Sequence, residues 1–124
     1  MAIDKSLMSG SMTMLILRLL AEKDMYGYEM IDTLRKKSCN VFELKAGTLY
    51  PLLHGLEEKG LLNVYEQEYA GKTRKYYSIT KEGRALLAAK QEEWKEYQSA
   101  VANVLAMGCR YGTIFGKTVI TDPV

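Results

Sequence analysis

The feature that most restricts the fold is a change of hydrophobic period near residue 61. Before it, apolar residues recur at helical spacing in three short blocks; after it, they alternate with polar ones. Leu62 and Val64 alternate with polar neighbours, extending towards Glu66, and Tyr77 and Ile79 do the same on the way back. Between them, Ala70-Gly71-Lys72-Thr73 reads as a turn, so this stretch is a β-hairpin with a flexible, basic tip.

Upstream, residues 11–23 carry Met12, Leu15, Ile16, Leu19 and Leu20 at helical spacing, with Met14 and Leu17 filling in, which predicts a helix buried on most sides. Asp24 and Tyr26-Gly27 interrupt it. A second helix runs to about residue 37, with Tyr28, Ile31 and Leu34 on one face. Its basic end, Arg35-Lys36-Lys37, complements the helix dipole. Residues 41–44 fit a short strand. A third helix runs to about residue 59 and stops at Gly60, with Leu49, Leu52, Leu53 and Leu56 in one stripe. Pro51 must lie near its first turn or kink it. After the hairpin, Thr80 can cap a last helix that extends to about Met107, with Glu82 in its first turn.

Helix, helix, helix, hairpin, long helix is the order of a winged helix-turn-helix. The expected class is mainly α (α+β), with a long C-terminal dimerisation helix. The expected division is a winged domain over residues 1–80, the dimerisation helix over 81–107, and a tail over 108–124 that is a surface strap or partly disordered.

Composition removes several alternatives. The chain has one histidine, His54, and two distant cysteines, Cys39 and Cys109, so neither a metal cluster nor a Cys/His/Asp constellation can be assembled. No phosphate loop is present, and an enzymatic role and a cofactor are not expected. The apolar run over residues 12–20 is broken by Arg18 and is too short for a membrane span. Asp4 precedes it and no small-residue cleavage site follows, so a cytoplasmic protein with reduced thiols is expected. The net charge of +2 is uninformative, but its distribution is not: residues 35–75 hold eight Lys/Arg against five Asp/Glu, whereas residues 1–34 hold three against five. A basic middle suits a phosphate-facing surface, and equally a solvated charged face. Nine tyrosines against two phenylalanines favour half-buried surfaces such as grooves and subunit contacts.

The third helix is the natural reader of a DNA major groove. With its leucines inward, Lys45, Thr48, Tyr50, Pro51 and His54 lie toward the open side. Lys45 can meet a phosphate or a guanine, Thr48 and Tyr50 can hydrogen-bond, and Pro51 can touch a thymine methyl; His54 is either a reader or simply a surface residue. Lys45 sits badly with the helix dipole, a conflict that a nearby phosphate relieves. The hairpin supplies Lys72, Arg74 and Lys75, suited to the DNA backbone or the minor groove. In the last helix, Leu87, Lys90, Trp94, Tyr97, Val101 and Val104 follow a 3-4-3-4-3 spacing, a coiled-coil seam interrupted by Lys90. A two-fold partner on that seam would place two reading helices roughly 34–36 Å apart, one DNA turn. Trp94 is then either an interface anchor or one wall of a site where an aromatic effector stacks.

Together, Tyr26-Gly27-Tyr28-Glu29, Gly47-Thr48-Leu49-Tyr50-Pro51, Leu56-Glu57-Glu58-Lys59-Gly60-Leu61 and Arg74-Lys75-Tyr76-Tyr77-Ser78-Ile79-Thr80, followed by Glu82-Gly83, resemble the PadR family of transcriptional regulators over about residues 10–85. The resemblance implies a homodimeric repressor bound to double-stranded DNA and released by a small molecule, often phenolic or hydrophobic. The single long last helix is similar to the short-tailed branch, whose multidrug-binding members stack flat ligands on a tryptophan of this helix; Trp94 falls there. The same likeness points to Leu7, Thr13 and Met14 as cavity-lining residues. Two departures stand out: Lys45 replaces a small capping residue, and Gly55 replaces a common basic one. The rival reading is a winged helix used for protein–protein contact without specific DNA binding.

Overall fold

The computed structural model describes the backbone of residues 5–106, 113–114 and 117–118, with side chains from residue 10 to residue 106. The chain forms two compact units, Met1–Ala88 and Ala89–Val124.

The first unit opens with α1 (Lys5–Glu22), which begins earlier than its apolar pattern predicts. Met12, Ile16, Leu17, Leu19 and Leu20 are buried, in keeping with an apolar surface that extends most of the way round. The interruption after α1 is a strand, β1 (Met25–Tyr26), which leads directly into α2 (Gly27–Lys37). The buried face of α2 is Gly27, Met30 and Leu34, one residue away from the expected face. Tyr28 is therefore turned outward and is 65% exposed.

Residues 41–44 are not a strand. Two residues in the left-handed region, Cys39 (φ 54°) and Asn40 (φ 68°), turn the chain sharply after α2. The Phe42 N–H donates to Ser38 Oγ at 2.9 Å instead of to a neighbouring strand. Leu44 is buried all the same, so the apolar spacing reflects core packing without a sheet.

The third helix, α3 (Ala46–Glu58), buries Leu49, Leu53 and Leu56, with Pro51 in its second turn. It ends in a tight cap: the Leu61 N–H donates to Leu56 O at 2.9 Å and the Gly60 N–H to Glu57 O at 2.9 Å, with Gly60 at φ 77°. Strands β2 (Leu62–Tyr69) and β3 (Lys72–Ile79) then pair antiparallel, and the sheet order is β1-β3-β2. The turn is only Ala70-Gly71, both at positive φ (53° and 81°), as a two-residue hairpin whose twist matches its strands requires. Lys72 and Thr73, expected in the turn, are already strand residues.

Thr80 does cap α4 (Lys81–Leu105): its Oγ1 accepts from the Gly83 N–H at 3.0 Å and donates to Gly60 O at 2.8 Å. The first turns of α4 lie close against the winged core, since a Cβ on Gly83 would strike the Leu61 carbonyl oxygen and lie 2.7 Å from Ile79 Cγ1. Leu87 is buried in that core as well, within the first compact unit, which runs to Ala88.

The second unit holds the rest of α4 and two paired strands, β4 (Thr113–Ile114) and β5 (Lys117–Thr118). The expected strap at 108–124 otherwise lies outside the described residues. Among the described residues, no helix is long and apolar enough to cross a membrane.

Candidate nucleic-acid interface

The leucine stripe of α3 determines what the helix shows on its other side. Lys45, Thr48, Pro51 and His54 are exposed together on the open face. Tyr50 is not fully open. Its ring packs against the start of α2, where a Cβ on Gly27 would collide with the Tyr50 hydroxyl and lie 2.6 Å from Cζ. Burial pushes the Tyr50 phenol above its ordinary pKa, with the Tyr28 phenol adding to the shift. Tyr50 is thus half a core residue, and only part of its ring is left to meet a ligand.

Strand β1 stops at Tyr26, opposite Tyr76, so β3 from Lys75 to Lys72 has no strand beside it on that edge. A cleft of about 510 Å³ opens there, lined by Tyr26 from the end of β1, Gly27 and Tyr28 from the start of α2, Tyr50 from α3, and Lys72, Arg74 and Lys75 from the wing. The structure thereby brings the three wing cations and Tyr50 together in one concavity. It adds Tyr26 and Tyr28, which the sequence pattern does not mark for this role. Lys45, Thr48, Pro51 and His54 are on the exposed face of α3 and do not line the cleft.

Five of the described cations are held in ion pairs. Arg18 and Lys37 pair with Glu22, Lys23 pairs with Glu29, and Arg35 and Lys36 pair with Asp32, at 2.6–3.3 Å. Hydrogen bonds from Lys36 and Arg35 hold the Asp32 carboxyl below its ordinary range, and one from Lys37 does the same for Glu22. Each cation of the basic triplet at the end of α2 thus has a carboxylate neighbour at the surface. Among the described residues, Lys45, Lys72, Arg74 and Lys75 form no ion pair, nor do Lys59, Lys81, Arg84, Lys90 and Lys95; what distinguishes the first four is their place on the wing and at the start of α3. The N-terminus of α3 adds to the positive potential: Lys45 is its N-cap residue, and its side chain makes no capping hydrogen bond.

On α4 the expected seam divides. Leu87 is 6% exposed in the single chain and packs in the winged core, so it has little surface to offer a partner. Further along, Trp94, Tyr97, Val101 and Val104 are exposed, and the Trp94 and Tyr97 rings lie 6.2 Å apart. Of the expected cavity-lining residues, Thr13 and Met14 are half-buried on α1. The side chain of Leu7 lies outside the described residues.

Three helices, a hairpin wing and a long following helix, with unpaired cations on wing and third helix, define a winged helix-turn-helix DNA-binding protein. Residues 16–89 match the model of the transcriptional regulator PadR-like family, and the chain belongs to that family. It is 38% identical over 93 residues to an uncharacterized protein of Lysinibacillus sphaericus, covering 74% of this chain and 85% of that one. The structure of a transcriptional regulator from Clostridium thermocellum superposes with a TM-score of 0.76 at 33% identity, over 82% of this chain and 97% of the other. A PadR family transcription regulator from Clostridium difficile gives 0.67 at 35% identity, over 77% and 98%. The chain is a DNA-binding transcriptional regulator.

Proposed function

We propose that the protein is a homodimeric repressor that binds a specific operator and is released by a small hydrophobic or phenolic effector. The observation that carries the DNA-facing part is where unpaired cations are placed: three together on the wing and one at the start of α3. Lys72, Arg74 and Lys75 line one cleft with Tyr50, while Lys45 stands at the uncapped start of α3, beside the exposed Thr48, Pro51 and His54. In this reading, the α3 face enters the major groove and sets sequence preference, and the wing cations hold phosphates and supply affinity. A winged helix used only for protein contact has no need of such a set.

Dimerisation through α4 is supported by the exposed aromatic and aliphatic seam of Trp94, Tyr97, Val101 and Val104. Two neighbouring exposed rings, Trp94 and Tyr97, also suit a flat apolar ligand. The test is a fluorescence-anisotropy titration with duplex from upstream of the protein's own coding sequence and with random duplex, adding planar phenolic compounds. Preference for the upstream duplex, with release accompanied by quenching of Trp94, supports the proposal. Equal affinity for both duplexes contradicts the operator, and release without quenching leaves Trp94 as an anchor alone.

A further inference from the structure

The outer face of the wing carries a continuous run of aromatic rings ending on one guanidinium. Tyr26, Tyr76 and Tyr65 occupy matching positions on β1, β3 and β2, so their side chains stand side by side on one face. Tyr65 stacks on Tyr76 at 5.7 Å between ring centres, and Tyr76 meets Tyr26 edge-on at 5.6 Å. The far end is tied down: the Tyr65 hydroxyl donates to Asp24 Oδ2 at 2.6 Å, next to the start of β1. Arg74, two residues before Tyr76 on β3, shares this face. Its guanidinium carbon lies 4.3 Å from the centre of the Tyr26 ring and 5.4 Å from that of Tyr69.

Arg74 therefore lies against rings, while its donors are unspent. Among the described residues its side chain makes no hydrogen bond or ion pair, yet it lines the cleft beside Lys72 and Lys75. A guanidinium presents its five N–H groups in the plane of the group, so ring contacts on its faces leave the donors free. A free arginine loses considerable rotamer freedom when it binds, and one already held by rings loses less.

We propose that Tyr26 and Tyr69, braced by Tyr76, Tyr65 and Asp24, are positioning residues that set Arg74 in advance to donate two hydrogen bonds to one phosphate of the bound DNA strand. The proposal rests on the DNA-binding reading and adds the device that fixes the wing contact. Tyr26 and Tyr69 act through Arg74 and need not touch the DNA.

The experiment measures operator affinity of the full chain across a salt series for the wild type, Arg74→Ala, Tyr26→Leu, Tyr26→Phe, Tyr69→Leu, and both leucine variants combined with Arg74→Ala. Circular dichroism confirms folding. Tyr69 is exposed near the wing tip, so its variant keeps the test open if Tyr26→Leu does not fold. Arg74→Ala should reduce the slope of log affinity against log salt by about 0.9, the value for one lost phosphate contact. Each leucine variant should weaken binding about two- to fivefold, the range of an exposed cation–π contact, and Tyr26→Phe should restore it. In the Arg74→Ala background, the leucine substitutions should cost nothing further. Equal losses with and without Arg74, or an unchanged slope in Arg74→Ala, would overturn the positioning role while DNA binding stands. Absence of operator binding by the wild type would overturn both.

Discussion

On the proposed reading, Lys45 is the residue where stability and DNA binding pull apart. It occupies the N-cap of α3 with extended backbone (φ −97°, ψ 151°), a conformation in which Ser or Asp would accept a hydrogen bond from the helix. A lysine cannot accept one, and its charge opposes the dipole. Lys45→Ser should therefore raise stability by about 1 kcal/mol in thermal unfolding and weaken DNA binding, with a shallower salt dependence. A destabilised variant with unchanged DNA affinity would show that Lys45 has neither role. The exposed α3 residues were legible in the sequence because leucines at positions 49, 53 and 56 fix the opposite face of the helix. Tyr50 was legible only in part, since it sits at the margin of that stripe and packs over Gly27. Gly27 also explains the displaced reading of α2. A buried glycine adds no apolar signal, so by spacing alone Tyr28-Ile31-Leu34 fits as well as the true inward set of Gly27, Met30 and Leu34.

At the scale of elements, the hairpin and α3 followed from period and turn chemistry. Strand β1 did not, because two residues carry no period and the strand exists only through pairing with β3, some 50 positions away. The aromatic run across the wing was hidden for the same reason. Its anchor makes a pH-dependent prediction. Tyr65 donates to the Asp24 carboxylate, which raises the phenol pKa to about 12. The unfolded chain would lose that proton near pH 10, so the contact stabilises the wing fully below about pH 10 and is lost as pH rises through about 12. In an alkaline absorbance titration, Asp24→Asn should move one tyrosine to earlier ionisation, and Tyr65→Phe should remove that late step. A titration curve identical in all three proteins would count against the anchor.

For the molecule as a whole, the 3-4 spacing of the last helix pointed to a seam but not to where it starts. Leu87 satisfies the spacing, yet it falls where α4 is still packed on the winged core. Trp94, Tyr97, Val101 and Val104 remain available. Substituting both Trp94 and Val101 by glutamate should convert a two-chain species into a single chain in sedimentation, leave the winged unit folded, and weaken operator binding at least tenfold because two half-sites no longer act together. A double variant that still sediments as two chains would place the interface elsewhere. Whether the cations of α3 and the wing form one DNA-facing surface is decided by the salt dependence of operator binding. Replacing Lys45, Lys72, Arg74 and Lys75 together by alanine should flatten the slope of log affinity against log salt by about 3 to 4 and remove most of the affinity. An unchanged slope in the folded quadruple variant would contradict that surface.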